Sequence, residues 1–290
     1  MINYIAVVNT INRSTEFVER ALKSILAQDF LPSKIFLIDQ NLKPLILPDD
    51  IVNNKIIEVI NVHTKSISIA RNSITIPPDV EYIFFCDDDG FADKNFSKVL
   101  FEIIKKNPEL DLFGGACLNE TDKKYYSKRQ KMKGGIKGFA DTKKIMGSNL
   151  VVRAKLFEEL KRFSSDFGVG SFWGAAEETD LVWKAFFNKN KIDFFHELII
   201  YHPPILNNSI SDEIKKSFRY GFGKGGLVAK WLFKEKKIVV IYELVEMIAV
   251  PFYNIIIGFF TLNIKKILSA FSSITGRVIG LIRGLFYKFS

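Results

Sequence analysis

Cysteine is scarce in this chain: 290 residues hold two, Cys86 and Cys117. Two thiols provide neither a disulfide framework nor a metal-thiolate cluster, so a reducing compartment is expected. A basic, apolar leader is also missing, since Met1-Ile2-Asn3-Tyr4 runs directly into a strand-like segment. No secretory signal is therefore expected, and the chain is expected to start in the cytoplasm. Internal repeats and low-complexity tracts are absent from the sequence, which excludes repeat arrays and leaves one large domain, or one domain with an appendage. Disorder is excluded by composition, because 48% of residues are hydrophobic, 25% are charged and 27 are Phe.

Charge is present but unevenly placed. The formal net charge is +9, yet residues 224–290 carry ten Lys/Arg against three Glu, or +7, which leaves +2 for the first 223 residues. A nearly neutral body with a basic tail suits contact with an anionic surface at one end. Nucleic acid could supply that charge, but the apolar content of the tail points to lipid.

Short apolar runs alternate with helix-period segments up to about residue 118, as an α/β sheet with crossover helices requires. Strands are expected at 4–8, 34–38, 56–62, 81–86 and 112–118. Helices are expected after Ser14, which can cap the first one, from about Ser68, and over 94–106. Residues 119–144, with nine Lys/Arg and three Gly, read as a mobile loop, either a solvated insert or a phosphate-binding segment. A strand at 145–152, a helix at 155–161 and a helix opened by Glu177 and Glu178 follow.

Two acidic clusters carry the chemistry. Asp87-Asp88-Asp89 ends the apolar strand Tyr82-Ile83-Phe84-Phe85-Cys86, and strand ends are where open α/β sheets bind ligands. Three adjacent carboxylates repel one another, which suits either a solvated turn or a hard divalent ion bridging carboxylates and a diphosphate. Glu177-Glu178-Thr179-Asp180 follows a segment rich in glycine and aromatic residues, 167–174. These acids fit a helix start, as dipole complements and caps. They also fit a general base beside Trp173, whose flat surface could stack on a sugar ring.

In order along the chain, Val7-Val8-Asn9-Thr10-Ile11-Asn12-Arg13, Ser24-Ile25-Leu26-Ala27-Gln28, Leu37-Ile38-Asp39-Gln40-Asn41, Ala70-Arg71-Asn72, the Asp87 run, Gly147-Ser148-Asn149, Gly174-Ala175-Ala176-Glu177-Glu178-Thr179-Asp180 and Tyr201-His202-Pro203 resemble glycosyltransferase family 2. The resemblance covers roughly residues 1–223. It implies a GT-A fold, a Rossmann-like, mixed and mainly parallel sheet flanked by helices. It also implies a metal-dependent inverting transfer of a sugar from a nucleotide-diphosphate donor to a glycan or lipid-linked hydroxyl.

By that resemblance Thr10, Asn12, Arg13 and Asp39 belong to the nucleoside pocket, and Arg71 lies near ribose and diphosphate. Asp87 faces ribose and donor sugar, Asp88 is the middle residue of an Asp-x-Asp, and Asp89 binds Mn²⁺ or Mg²⁺. His202 either completes that metal site, with Asp87, or is structural. The family's Gly-Glu-Asp base motif reads Ala176-Glu177-Glu178 here, so Glu178 is the base, with Asp180 as the substitute. The altered motif keeps open a catalytically inactive, membrane-anchored sugar-binding scaffold. A sugar-phosphate nucleotidylyltransferase is disfavoured, because 9–13 supplies no glycine-rich phosphate loop.

The chain is thus expected to divide into a catalytic domain, 1–223, and a hydrophobic, amphipathic helical tail, 224–290. Residues 238–262 have the length of a membrane span. Glu243, Glu246 and Pro251 make spanning marginal, since a central acid costs about 2.5 to 3.5 kcal/mol on an insertion scale; a helix broken at Pro251 or packed on the domain is equally consistent. Residues 264–290 read either as a basic amphipathic helix in a membrane interface or as a helix packed against the domain or a dimer partner; the basic residues bordering the apolar stripe favour the membrane, as do Gly276, Gly280 and Gly284, which would weaken a purely structural helix. The expected location is the cytoplasmic face of a membrane, peripheral or monotopic.

Overall fold

The computed structural model describes residues 2–204 and 209–290. They form two compact units, Met1–Phe163 with Leu181–Pro204, and Ser164–Asp180 with Ile205–Ser290.

The first unit is built on one sheet. Its strands are β1 (Tyr4–Thr10), β2 (Lys34–Asp39), β3 (Ile57–Asn61), β4 (Tyr82–Asp87), β5 (Phe91–Ala92), β6 (Leu112–Asn119), β7 (Asn149–Arg153) and β8 (Ile192–His202), in the order β3-β2-β1-β4-β7-β6-β8-β5. β3, β2, β1 and β4 are parallel neighbours; β7 runs antiparallel to both β4 and β6; β6 is parallel to β8, and β5 is antiparallel to it. The helices of this part of the chain are α1 (Thr15–Leu26), α2 (Asp49–Val52), α3 (Ile67–Asn72), α4 (Phe96–Lys106) and α5 (Ala154–Glu159), and α6 (Glu177–Phe187) begins in the second unit and ends in the first. This is the mixed, mainly parallel sheet flanked by helices that the sequence implies.

The central strands are apolar runs rather than alternating ones because both of their faces are covered. All of β1 is buried, and in β4 Phe84 lies tilted against Phe96 with ring centroids 4.5 Å apart, while Phe85 meets Phe157 at 5.4 Å and Phe163 at 5.1 Å. Full burial of a Phe contributes about 1.5 to 3 kcal/mol relative to exposure. On α1, Val18, Ala21, Leu22 and Ile25 recur at helical spacing and form the buried face. Ser14 precedes α1 in an extended conformation, but its hydroxyl makes no cap bond. Cys86 and Cys117 are buried free thiols. Burial pushes both thiol pKa values up, that of Cys117 to about 12.

Residues 119–144 are tied down rather than a free loop. The buried Gln130 accepts from the Cys117 amide at 2.9 Å and donates to the carbonyls of Gly115 at 3.2 Å and Lys144 at 2.9 Å. The buried Lys144 ammonium closes the segment, donating to the Gly134 and Gly135 carbonyls at 3.1 Å and pairing with Asp141 at 3.0 Å. A composition of Lys, Arg and Gly hides these few decisive contacts.

The second unit is mostly helical, with α7 (Ile210–Val228) running into a π turn at Ala229–Lys234, then α8 (Ile241–Phe260) and α9 (Ile264–Phe286). Within this unit α7 packs along α9 through their glycines. A Cβ on Gly225 would strike the Arg277 carbonyl, and one on Gly280 the Phe222 carbonyl. The expectation that Gly276, Gly280 and Gly284 argue against a structural helix is therefore overturned. With Ala270 they are its buried face, and they allow the two backbones to approach. The apolar side chains Phe271, Val278, Ile282 and Leu285 remain exposed.

Pro251 does not break α8, which is helical on both sides of it. Glu243, counted as a cost to membrane insertion, is buried inside the unit in an ion pair with Lys224. Ile238–Phe260 is long and apolar enough to cross a membrane by length and composition.

Candidate active site

Parallel register gathers the first group of residues. Thr10 of β1 lies beside Asp39 of β2, and Asn9 beside Asp87 of β4, so three adjacent strands deliver polar side chains to one carboxyl edge. β8 ends at His202 near the same turn: a Cβ on Gly90 would come within 3.2 Å of the His202 Nε2.

The three aspartates face different ways because β4 ends at Asp87 and the chain turns there, the Gly90 amide donating to the Asp87 carbonyl at 3.2 Å. Asp88 is buried, accepting from the Thr10 hydroxyl at 2.8 Å and from Arg13 Nε at 3.1 Å. Burial pushes its pKa up to about 6, against the pull of Arg13 and Thr10. Asp87 and Asp89 point the other way, toward His202, with Nε2 3.6 Å from Asp87 and Nδ1 3.2 Å from Asp89. One ligand atom from each of Asp87, Asp89 and His202 falls within 4.8 Å of the others. Burial raises the Asp87 carboxyl, but His202, Arg71 and Arg13 outweigh it and hold the pKa below the ordinary value. For His202, burial acts downward and the two carboxylates reverse it, leaving the pKa raised.

Arginine braces the cluster on two sides. Arg13 reaches Asp89 at 2.9 Å as well as Asp88. Arg71, 1% exposed and set between the Phe85 and Phe163 rings, donates to Asn9 Oδ1 and to Asp87, each at 3.0 Å. A guanidinium that cannot lose its proton is thereby fixed beside the acidic edge. Asp39 organises the neighbouring loop: its carboxylate accepts from the Asn41 amide at 2.9 Å, the Asn41 side chain at 2.7 Å and the Leu45 amide at 2.7 Å. Asn41 in turn accepts from the Asn12 amide at 2.7 Å, and Asn12 adopts a left-handed φ of 54°.

The donor set suits a divalent cation of the Mn²⁺ or Mg²⁺ type, being two carboxylates and one imidazole with no thiolate. The fit is supported by the His202 Nε2, which is buried and has no hydrogen-bond partner in the structure. A cleft of about 760 Å³ lies at the opposite end of β4, beside Tyr82, Phe101 and Arg153. Its charged neighbours Lys98, Glu102 and Lys105 are exposed, and Arg153 is already bound to the Pro108 and Leu110 carbonyls. Volume alone does not make it the reaction site.

The second acidic group belongs to the other unit. Residues 168–176 wind tightly, with left-handed φ at Gly168, Gly170, Gly174 and Ala176. Ala176, immediately before Glu177-Glu178, has φ 76°, a conformation that costs an L-residue about 1 to 2 kcal/mol. Ala176→Gly is expected to raise stability by about 0.5 to 1 kcal/mol, because relief of that strain exceeds the added freedom of the unfolded chain. Urea denaturation checks it; an unchanged or lowered midpoint would refute the strain.

Glu178 is half-buried and Glu177 buried. Asp180 is fully buried, and one of its oxygens accepts from Lys230 Nζ and Trp231 Nε1, both at 2.8 Å. Trp173 is not a stacking surface. It is 0% exposed, with Phe222 at 4.9 Å and Phe289 at 5.6 Å stacked against it. An aromatic in a glycine-rich segment reads the same from sequence whether its faces are open or filled by residues as distant as Phe222 and Phe289.

Sequence reasoning missed Asn9, which orients Arg71, and Lys230, which neutralises Asp180. Asn9 was detectable as the polar residue beside Thr10 at the strand end, whereas no local signal couples residues 180 and 230.

No protein-family model matches the sequence, and neither does any curated protein. Solved structures do match. A mannosyltransferase from Pyrobaculum calidifontis, PcManGT, in complex with GDP-Man and Mn²⁺, superposes with a TM-score of 0.59 at 13% identity over 96% of this chain and 75% of that one. S. aureus TarS gives 0.57 at 15% identity over 80% of this chain, which spans 40% of the TarS chain. Its fragment 1–349 gives 0.54 at 13% identity, covering 100% and 94% of the two chains. The likeness extends over the sheet, its flanking helices and the helical second part, and by it the chain has the GT-A fold.

Proposed function

We propose that the chain is a metal-dependent inverting glycosyltransferase, taking a nucleotide-diphosphate sugar as donor and a hydroxyl of a lipid-linked or surface glycan as acceptor. One observation carries the reading: on a GT-A sheet, Asp87, Asp89 and His202 converge within 4.8 Å at the carboxyl edge, beside a buried arginine. The PcManGT structure, bound to GDP-Man and Mn²⁺, supports it as a similar protein with that ligand class.

In this reading Asp87, Asp89 and His202 hold a divalent cation. When bound, it supplies positive charge to the diphosphate oxygens as the bond to the sugar breaks. Thr10, Asn12, Arg13 and Asp39 shape the nucleoside pocket, Asp88 keeping Thr10 and Arg13 in place from below. Arg71 stabilises the departing diphosphate, a fixed charge aimed at charge that develops in the reaction. Glu178 takes the proton of the acceptor hydroxyl, which attacks the anomeric carbon on the face opposite the leaving nucleotide, so configuration inverts. Asp180, held by Lys230 and Trp231, has a positioning role rather than that of a base.

The exposed apolar faces of α8 and α9 and the +7 charge of 224–290 support association with an anionic membrane at its cytoplasmic face, without nucleic acid as a partner. Thermal unfolding with UDP, GDP, dTDP or CMP species, each with and without Mn²⁺ or Mg²⁺, tests the reading. One nucleoside diphosphate is expected to raise the Tm only with metal, since a ligand of the native state stabilises it by mass action. A folded sample that responds to none of them would count against the enzyme and favour a scaffold.

A further inference from the structure

α7, α8 and α9 enclose a cleft of about 480 Å³ within the second unit. Lys265, Lys266 and Arg277 contribute cations to it, and Asn254, Asn263 and Ser269 contribute neutral polar groups; Glu213 is the acid in its lining. Lys266 sits in the first turn of the 23-residue α9, whose N-cap Asn263 accepts from the Lys266 amide at 2.9 Å. The positive end of the helix dipole adds to the lysines there. The Ser269 hydroxyl is buried without a hydrogen-bond partner in the structure, so a donor in the cleft is unused. Arg277 is anchored by its bond to the Met247 carbonyl at 2.6 Å. An anion with several acceptor oxygens satisfies this set, as a phosphate does.

The surroundings identify its source. Val250 and Pro251 of α8 line the same cleft, and beyond them Phe252, Tyr253, Ile256, Phe259 and Phe260 are each more than half exposed. Leu262, in the turn before α9, is 88% exposed. α8 itself has no Lys or Arg, but an apolar face of this extent within the basic segment 224–290 is a membrane-facing surface rather than a solvated one. We propose that the cleft between α7, α8 and α9 binds the phosphate of an anionic membrane lipid, whose acyl chains lie along the exposed face of α8. The proposal rests on the membrane association above and adds a defined headgroup site to it, separate from the aspartate cluster.

The test is vesicle co-sedimentation of the full chain on three membranes: phosphatidylcholine alone, phosphatidylcholine with phosphatidic acid, and phosphatidylcholine with oleate at matched surface charge. Binding is expected to all three, about tenfold tighter with phosphatidic acid than with oleate, because at matched surface charge the phosphate offers the lysines more acceptor oxygens than a carboxylate does. K265Q/K266Q should abolish that preference while leaving binding to neutral vesicles unchanged, and K265R/K266R should retain it. Equal binding to the phosphatidic acid and oleate membranes overturns a site for the phosphate of an anionic lipid but leaves membrane association standing. Sedimentation with none of the three overturns both. Loss of the preference in millimolar inorganic phosphate, without loss of neutral binding, confirms the phosphate chemistry; inorganic phosphate binding in a chain that shows no lipid preference assigns the cleft to a free anion and overturns the lipid.

Discussion

Asp89→Asn is expected to remove the metal-dependent part of nucleotide binding while leaving the fold intact. Asn is nearly isosteric with Asp but carries no charge. Of the two oxygens of Asp89, one faces His202 Nδ1 at 3.2 Å and the other Arg13 at 2.9 Å. The remaining donors, Asp87 and His202, would face a divalent ion with one carboxylate fewer. Stabilising charge on a leaving diphosphate is worth several kcal/mol, so turnover should fall by roughly 100- to 1,000-fold. Stability should change by about 1 kcal/mol or less, because Arg13 is partly exposed and keeps its bond to Asp88. Titration of Mn²⁺ into the variant with a nucleoside diphosphate, followed by thermal shift, provides the measurement. A metal response equal to that of the unaltered chain would remove Asp89 from the site. Asp88→Asn is the control: Asp88 faces inward to Thr10 and Arg13, so its loss should act mainly through stability.

The central sheet was legible because its chemistry is local. A parallel strand covered on both faces must be apolar throughout, and Tyr82 to Cys86 is such a run, ending where the acids begin. Once Tyr4–Thr10 and Lys34–Asp39 are read as neighbouring parallel strands, Thr10 and Asp39 reach the same edge through register alone. β8 was missed although His202 at its end was noticed: exposed and buried positions are mixed along it, with Phe195, His196 and Glu197 interrupting the alternation. Pairing with β6 is also irregular there, shifting between Gly115 and Ala116.

The second unit was harder to read for a different reason. Local propensity makes Gly276, Gly280 and Gly284 weak helix residues, yet a neighbouring backbone comes close enough to exclude a Cβ at Gly276 and Gly280, and the Ala229 methyl does so at Gly284. Whether glycine weakens α9 or allows its packing depends on α7, some fifty residues earlier. Trp173 and Glu243 show the same dependence: one is enclosed by Phe222 and Phe289, the other neutralised by Lys224. Long-range partners, absent from any window of sequence, reverse the reading of each.

Glu178 and Asp180, two residues apart on one helix, are expected to fail in opposite ways when their charge is removed. Glu178→Gln keeps shape and polarity but cannot accept the acceptor's proton, and loss of a general base lowers turnover by roughly 100- to 10,000-fold. Donor binding and Tm should stay close to those of the unaltered chain, since the substituted group is half-buried and keeps hydrogen-bonding capacity. Asp180→Asn should instead unfold the protein more readily. It leaves the Lys230 ammonium, 5% exposed, without the carboxylate 2.8 Å away, and breaking one side of a buried ion pair costs about 3 to 5 kcal/mol. That corresponds to a Tm lower by roughly 10 °C. Parallel measurement of sugar transfer and thermal unfolding on both variants separates the roles. If Glu178→Gln transfers sugar at the original rate, the base lies elsewhere. If neither the unaltered chain nor Glu178→Gln transfers sugar while both bind the donor, the altered Ala176-Glu177-Glu178 motif marks a binding protein. Asp180→Asn acting on rate with an unchanged Tm would transfer the role of base to Asp180, and would require its pair with Lys230 to open during the reaction.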